Sequence, residues 1–551
     1  MGNTAETLQL AIQHHRAGRL REAAGLYQQI LQSEPTHADA LHLLGVVCQQ
    51  TGQYERAIDL IGQAIASQPG KSIYHYNLGE AFRTSGKPIE AIEAYRQALR
   101  VNPKDFQACN NLAGLLRSQG RADEAIVAYR DAIQLQPTSA AIHSNLLYTL
   151  NFDPAFDPPT VFAEHRAWAE RHAEPWTRLA PPHANDLTPD RRLRIGYVSP
   201  HFRQHAVNFF IEPMLLAHDG AHFEVFCYSA NRVDDAVTAR LKSAVAQWRD
   251  IRDKPDDEVA QMVRDDRIDI LVDLTGHIDG HRLLVFARKP APIQVTYLGY
   301  QNTTGMSAMD YRLTDERADP PGLTDSYYTE KLIRLPRSFF CYRPPDDAPP
   351  ITPLPARTSG QVTFGSFNNF SKVNRAVLAA WWKILQLVPQ TRLLVLADGA
   401  AAIERLIHES ASAAGLDPQR IEVFDRRPTH EYLQLIQQAD VALDPFPFIG
   451  HTTTCDSIWM GVPVVMLEGQ TYASRFGGSV LAHVGLTRQI ADSVEQYVDL
   501  AVELASDLDA LAQLRSELRG RMRDSALMDY PGFTRNVEQA YRQMWFTWCD
   551  S

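Results

Sequence analysis

Small and apolar residues in the first quarter of the chain return at helical spacing and again at a longer, fixed step. Pro35, Pro69, Pro103 and Pro137 stand 34 residues apart, and so do Gly18, Gly52, Gly86 and Gly120. Ala23, Ala57, Ala91 and Ala125 form a third register; Ile30, Ala64, Ala98 and Ala132 a fourth; Leu44, Leu78, Leu112 and Leu146 a fifth. Small side chains let two antiparallel helices approach closely, a glycine fits the turn between them, and a proline stops the second helix. The pattern predicts about four helix pairs plus one extra helix, filling residues 1–150. One such pair cannot bury its apolar face alone, so the units stack into a superhelix with a concave groove.

After a Pro-punctuated connector with one helix (151–192), the pattern changes. LRIGYVS (193–199), FEVFCYS (223–229), IDILVDL (268–274), PIQVTYLG (292–299) and DYRLTD (310–315) are short apolar runs with helical segments between several of them. A Pro-rich stretch then marks a linker (343–359), and the alternation restarts with VTFGSF, RLLVLAD, RIEVFD, DVALD and VPVVML. Buried parallel strands separated by helices predict two doubly wound α/β lobes, 193–342 and 360–551. Their ligand cleft belongs between them, at the carboxyl ends of the strands. The closing run YPGFTRNVEQAYRQMWFTW (530–548) reads as an amphipathic helix packed on the lobes.

Composition narrows the function. With 54 basic against 65 acidic side chains, the net charge of −11 excludes nonspecific nucleic-acid binding as a main activity. Six scattered cysteines without a CxxC pair suit reduced thiols, and no run approaches the ~18 apolar residues of a membrane span. The expectation is a cytoplasmic protein with no membrane or nucleic-acid partner.

Candidate chemistry gathers at strand ends. In PFPFIGHTTTCDSIW (445–459) a strand ends at Asp444, and His451, Thr452, Thr453 and Thr454 open a helix. A helix start offers free N–H groups and a favourable dipole to an anion, and Asp456, one turn in, suits ribose hydroxyls. In GSFNNFSK (365–372), Lys372 can neutralise a phosphate and Asn369 can hydrogen-bond a nucleotide or sugar. In the first lobe, His205 follows the first strand and is placed at the cleft mouth facing the second lobe, with His201 a weaker candidate. His277 and His281, after another strand, are candidates for the acceptor side. Asn77, Asn111 and Asn145 repeat at the 34-residue step. Such a ladder can clamp an extended peptide, or can bond one repeat to the next. The Asp507/Asp509 pair reads as a solvated helix face, and nothing calls for a metal.

The repeat array resembles the tetratricopeptide repeat. Together with LRIGYVSPHFRQHAVNFF, RKPAPIQVTYLGYQNTTG, GSFNNFSK and the HTTT–Asp helix, the chain resembles the O-linked N-acetylglucosamine transferase family (glycosyltransferase family 41). The resemblance implies a GT-B fold, UDP-GlcNAc as donor and metal-independent, inverting transfer to Ser or Thr of protein acceptors. It makes His205 the general base or acceptor-orienting residue and Lys372 the diphosphate-binding lysine. His451, Thr452 and Thr453 become diphosphate contacts and Asp456 the ribose acid. Asn369 stands where the family has Gln, and Tyr432 where animal members have a uracil-contacting His. ADPP (318–321), VTFGSFNN and TTTCDSIWMGVP are also similar to SPINDLY-type plant proteins, a likeness that implies O-fucosylation from GDP-fucose. Those proteins have Thr at the place of His451, which favours UDP-GlcNAc here. A repeat scaffold with a silent transferase half is the remaining alternative.

Overall fold

The structure, a computed structural model, describes residues 4–550. The chain forms two compact units: one up to Ile142 together with Asp398–Leu406, the other made of His143–Ala397 and Ile407 onward.

The first unit contains four helix pairs: Thr4–Arg16 with Leu20–Ser33, Ala38–Gln50 with Tyr54–Ser67, Ser72–Thr84 with Pro88–Val101, and Phe106–Ser118 with Ala122–Leu135. The glycine register falls between the helices of each pair, at φ +71°, +77°, +75° and +72°, a left-handed conformation that costs residues with a Cβ. Ala23, Ala57, Ala91 and Ala125 are fully buried between the helices. Gly79 is closer still: a Cβ there would stand 2.7 Å from the Tyr95 ring. That ring is anchored, because its hydroxyl donates to Glu80.

The asparagine register serves the joints between repeats. Asn77 Nδ2 pairs with His42 Nε2 at 2.7 Å. Asn111 Nδ2 donates to the Tyr76 hydroxyl (3.1 Å) and to Glu80 (2.8 Å), and its Oδ1 accepts from Asn110. At Asn77 and Asn111 the ladder therefore bonds a repeat to its predecessor, and Asn111 has both N–H groups in use. Asn145 is half-buried on helix Ala140–Leu150.

From His143 onward that helix belongs to the second unit, which puts the boundary at residue 142, near the start of this helix, rather than at residue 150. The cause is local: a His143 ring nitrogen lies 3.2 Å from His172 on helix Pro158–His172, and the Ser144 hydroxyl bonds to His277. Two parallel sheets follow. The first contains β1 (Leu193–Ser199), β2 (Phe223–Ser229), β3 (Gln247–Asp250), β4 (Ile270–Asp273), β5 (Ile293–Thr296), β6 (Tyr311–Thr314) and β7 (Lys331–Arg334), in the order β3-β2-β1-β4-β5-β6-β7. The second contains β8 (Val362–Ser366), β9 (Thr391–Leu396), β10 (Ile421–Phe424), β11 (Val441–Leu443), β12 (Val464–Leu467) and β13 (Ile490–Ala491), in the order β10-β9-β8-β11-β12-β13. Both are doubly wound, and the order reverses between β1 and β4 and between β8 and β11.

Helix Tyr530–Cys549 returns from the second lobe to the first: Glu538 meets His218 at 2.9 Å, Tyr541 meets Tyr197 at 3.3 Å, and the Arg191 guanidinium sits 4.4 Å over Trp545. Among the described residues no helix is long and apolar enough to cross a membrane.

Two consequences can be measured. Gly79→Ala should destabilise the repeats by about 1–3 kcal/mol, because the anchored Tyr95 ring cannot yield. Gly114→Ala, whose Cβ would meet the Tyr129 hydroxyl at an ordinary 3.6 Å, should stabilise them by up to about 1 kcal/mol. Urea unfolding followed by circular dichroism compares the two. The second unit should also be acid-labile. Burial holds His143 at about 3 and His165 and His172 at about 4, whereas the unfolded chain protonates them near 6.5. Its stability should be full above about pH 6.5 and be lost as pH falls toward 4, visible in urea midpoints at pH 7.5 and 5.

Candidate active site

Four loops leave the sheets at their two points of reversal, after β1, β4, β8 and β11. In the second lobe they are tied together by Asp444, which follows β11 and is 3% exposed. Its carboxylate accepts from Asn368 Nδ2 (2.9 Å), the Gly450 N–H (3.1 Å) and the Thr454 hydroxyl (2.9 Å). Gly450 has room for nothing else: a Cβ would lie 2.4–2.8 Å from Thr453 Oγ1, Thr454 Oγ1 and Asp444 Oδ1. Asn368 then offers its Oδ1 to both the Lys372 ammonium (3.0 Å) and the Thr453 hydroxyl (2.9 Å). Lys372 also donates to the Ile449 carbonyl at 2.8 Å and stands 4.7 Å over the Phe448 ring. Two of its three N–H bonds are thus fixed. Burial pushes its pKa down to about 8, against the opposing charge of Asp444.

Helix Thr452–Trp459 starts beside this ammonium. Its first helical bond runs from the Cys455 N–H to the His451 carbonyl, and His451 supplies no side-chain cap. The N–H groups of Thr452, Thr453 and Thr454 therefore form the open end of the helix, next to a cation. The hydroxyls divide unequally. Thr453 is tied to Asn368, whereas Thr454 is fully buried on Asp444, so its side chain, expected on the donor, holds the loop instead. Asn369 is exposed, and its Oδ1 caps the short turn carrying Lys372 by accepting from the Ser371 N–H at 3.0 Å. The His451 ring stacks on Phe210 of the first lobe (4.3 Å, 4°) and on Phe339 (5.6 Å, 21°). Burial drives it to about 3, and its Nε2 has no hydrogen-bond partner among the described residues.

Asp456 is 5% exposed and accepts from the Tyr342 hydroxyl at 2.5 Å, with the Tyr432 hydroxyl bonded to it as well. Burial raises its pKa to about 7 against those two hydrogen bonds. Tyr432, expected to contact the base, thus points its hydroxyl at the ribose candidate.

In the first lobe, His205 is half-buried with its ring stacked on His201 (3.9 Å, 7°). Its Nδ1 accepts from the Val207 N–H at 3.3 Å. Burial pushes it down to about 3, with help from His201, Arg203 and, from the second lobe, Arg426. The next residue back, Gln204, reaches Thr429 of the second lobe at 3.5 Å, so the loop faces the cleft as expected. His277 does not. It is 1% exposed, with Nδ1 on Ser144 and Nε2 on the Thr304 carbonyl (both 3.0 Å), and its ring meets Trp168 edge-on. It pins the connector helix rather than an acceptor. His281 is half-buried, its Nδ1 accepting from the Leu283 N–H at 3.4 Å. Asn368, Asp444 and Tyr342 escaped the sequence reading; an acid closing a strand ahead of Gly450 was the one available signal.

The comparisons with known proteins agree with this layout. Two tetratricopeptide repeat models match residues 14–78 and 76–140. The chain is 43% identical over 417 residues to the rice (Oryza sativa subsp. japonica) protein named probable UDP-N-acetylglucosamine–peptide N-acetylglucosaminyltransferase SPINDLY, covering 74% of this chain and 44% of that one. It is 33% identical over 369 residues to the Arabidopsis thaliana protein of the same enzyme name called SEC, covering 65% and 38%. The chain thus spans less than half the length of these plant relatives. The solved structure of a Thermobaculum terrenum O-GlcNAc transferase mutant superposes with a TM-score of 0.80 at 36% identity, covering 100% of this chain and 99% of that one. With two lobes built around one open helix start and a buried lysine, and with the glycosyl transferase family 41 model matching residues 139–343 and 354–537, the chain belongs to that family.

Proposed function

We propose that this protein transfers N-acetylglucosamine from UDP-GlcNAc to Ser or Thr hydroxyls of protein acceptors presented by the repeat array. One observation supports this reading above the others: the Lys372 ammonium, with two of its three N–H bonds fixed, beside the open start of helix Thr452–Trp459. The pair forms a fixed positive cradle for a diphosphate, in a site dry enough for its charges to act strongly. The acceptor oxygen bonds to the anomeric carbon as the bond from that carbon to the diphosphate breaks. Lys372 and the Thr452 and Thr453 N–H groups stabilise the charge that builds on the leaving oxygen, without a metal. Asp456 takes the ribose hydroxyls in exchange for a tyrosine. Because Nδ1 of His205 accepts from Val207, the neutral ring carries its proton on Nε2. His205 then acts as a donor that orients the acceptor oxygen, a role that also suits its depressed basicity, and the acceptor proton leaves to the departing diphosphate.

Transfer of label from UDP-GlcNAc to a protein, in EDTA, tests the activity. Label taken instead from GDP-fucose would move the protein to the fucosyl reading, and binding of nucleotides without turnover would leave a scaffold. Lys372→Met should lower kcat by about 10²–10³, the usual cost of one donor to a developing oxyanion, and near-normal turnover would overturn the assignment.

The pH dependence follows from the two shifted groups. Asp456 loses its charge as pH falls through about 7, and Lys372 loses its own as pH rises through about 8. The profile of kcat/KM should be a narrow bell between them; Asp456→Asn should remove the acid limb and Lys372→Met the basic one. A diphosphate also restores the Lys372 charge. UDP binding at pH 9 should therefore take up a proton, seen by calorimetry in buffers of different ionisation enthalpy, and the uptake should vanish in Lys372→Met.

A further inference from the structure

The loop after β1 holds two histidines of unequal freedom. His201 is pinned through its main chain. Its N–H donates to the Ser199 hydroxyl at 3.0 Å, and its carbonyl accepts from the Arg203 N–H (2.7 Å) and Asn208 Nδ2 (2.6 Å). The next residue, Phe202, is 1% exposed, lies 5.5 Å from the Trp248 ring, and gives its carbonyl to Thr238 (2.7 Å) and Asn231 (2.8 Å). The His205 ring has a single hydrogen bond among the described residues, the 3.3 Å contact of its Nδ1 with the Val207 N–H. One bond at Nδ1 leaves a ring free to turn about it. The His201 ring removes that freedom, because it lies face to face with His205 at 3.9 Å and 7°.

The ring nitrogens of His201 take no part in this. Both are buried, and neither meets a hydrogen-bond partner among the described residues. An imidazole kept for hydrogen bonding would have those atoms paired, because a buried donor and acceptor left open are costly. Its flat face is the part in use. The surrounding charges keep the stack neutral. Burial and the Arg203 guanidinium hold His201 at about 4, and burial, His201, Arg203 and, from the second lobe, Arg426 hold His205 at about 3. Asp235, the acid that meets this loop, is occupied by the Gln204 and Thr238 N–H groups at 2.6 and 3.0 Å. Two imidazolium rings at stacking distance would repel, whereas two uncharged rings can rest on each other near neutral pH.

We infer that His201 is a positioning residue for His205: its rigidly mounted ring fixes the plane of the His205 imidazole and, with it, the direction of the Nε2–H. The inference rests on the role given to His205 above. Its test compares wild type with His201→Phe, which keeps a flat ring and loses both nitrogens, and His201→Ala, which removes the ring. Should His201→Ala fail to fold, His201→Leu, which fills the space without a flat ring, takes its place. Selective isotope labelling of histidine in the full chain, with His205 assigned by loss of its signals in His205→Gln, lets NMR read the tautomer and titration of that ring. In wild type and His201→Phe, His205 should keep its proton on Nε2 and stay uncharged down to about pH 5. In His201→Ala it should populate both tautomers and titrate closer to the ordinary 6.5. Transfer to a protein acceptor should fall about ten- to hundredfold in kcat in His201→Ala, as for a misplaced catalytic group, with the KM for UDP-GlcNAc unchanged. His201→Phe should recover most of that loss. An equal loss in His201→Phe would show that a His201 nitrogen is needed, and overturns the inference. A His201→Ala protein whose His205 keeps the wild-type tautomer and titration overturns it as well. Absence of transfer by wild type would remove the functional reading alone, since the NMR comparison decides the stack without a substrate.

Discussion

The second lobe is organised around one buried carboxylate. Asp444 stands at the carboxyl end of β11, where a desolvated charge is expensive unless several donors meet it. Three do: Asn368 from the loop after β8, the Gly450 backbone, and Thr454 from the helix start. Lys372 adds a counter-charge, since Asp444 is the one group that opposes the fall in its pKa. Every element of the phosphate cradle is attached to this hub at one remove. Asn368, fixed by Asp444, fixes Lys372 and Thr453 in turn. Gly450, with no Cβ, lets the chain pass close enough for its N–H to join. The proposed cradle is therefore held in place by contacts within the protein, the condition for electrostatic stabilisation to act on a transition state without reorganisation.

The same dryness that strengthens the cradle suppresses the histidines around it. His205 and His451 are both driven to about 3, so the cleft holds neutral imidazoles at physiological pH. Near the proposed diphosphate position, the positive character at neutral pH comes from Lys372 and the helix start rather than from these histidines. His451 does a different job: stacked on Phe210 and Phe339, it joins the helix start of one lobe to aromatic side chains of the other. Tyr342 on Asp456 and Ser479 on Asp315 (2.7 Å) cross the same boundary. Two of these contacts, those of His451 and Asp456, involve residues placed in the proposed donor site.

What the sequence disclosed follows the range of the interactions involved. The repeat registers are local, and the structure places each of their glycines at the turn and their central alanines in the core. The ten apolar runs became strands, because a parallel strand covered on both faces needs continuous apolar residues. The three strands that were missed are sheet edges: β3 (QWRD) and β7 (KLIR) are too polar to stand out, and β13 is two residues long. At the site, Lys372 and the threonine-rich helix start were legible because a cation near an open helix end has a short-range signature. The hub was not, since Asn368 and Asp444 lie 76 residues apart. The surplus threonines pointed toward a ligand, yet Thr454 serves Asp444. Loop position misled for His277: a histidine after a strand looks available until helix Pro158–His172 is folded over it.

Asp444 and Asp456 lie twelve positions apart in one lobe, and the kinds of donor around them separate their roles. Asp444 is held by a backbone N–H and by a carboxamide and a hydroxyl that are themselves part of the scaffold. Removing any of these would leave a buried polar atom unpaired and loosen Lys372 with it. Asp456 is met by tyrosine hydroxyls, the terminal groups of side chains rather than scaffold groups. A carboxylate has about four lone-pair sites, so it can keep one tyrosine while accepting from a sugar diol. Burial raises the pKa of both carboxyls, opposed at Asp456 by the tyrosine hydroxyls and at Asp444 by Lys372, Thr454, Asn368 and the Gly450 N–H. In the proposed reaction Asp444 stays bonded, while Asp456 exchanges a tyrosine for the ribose diol.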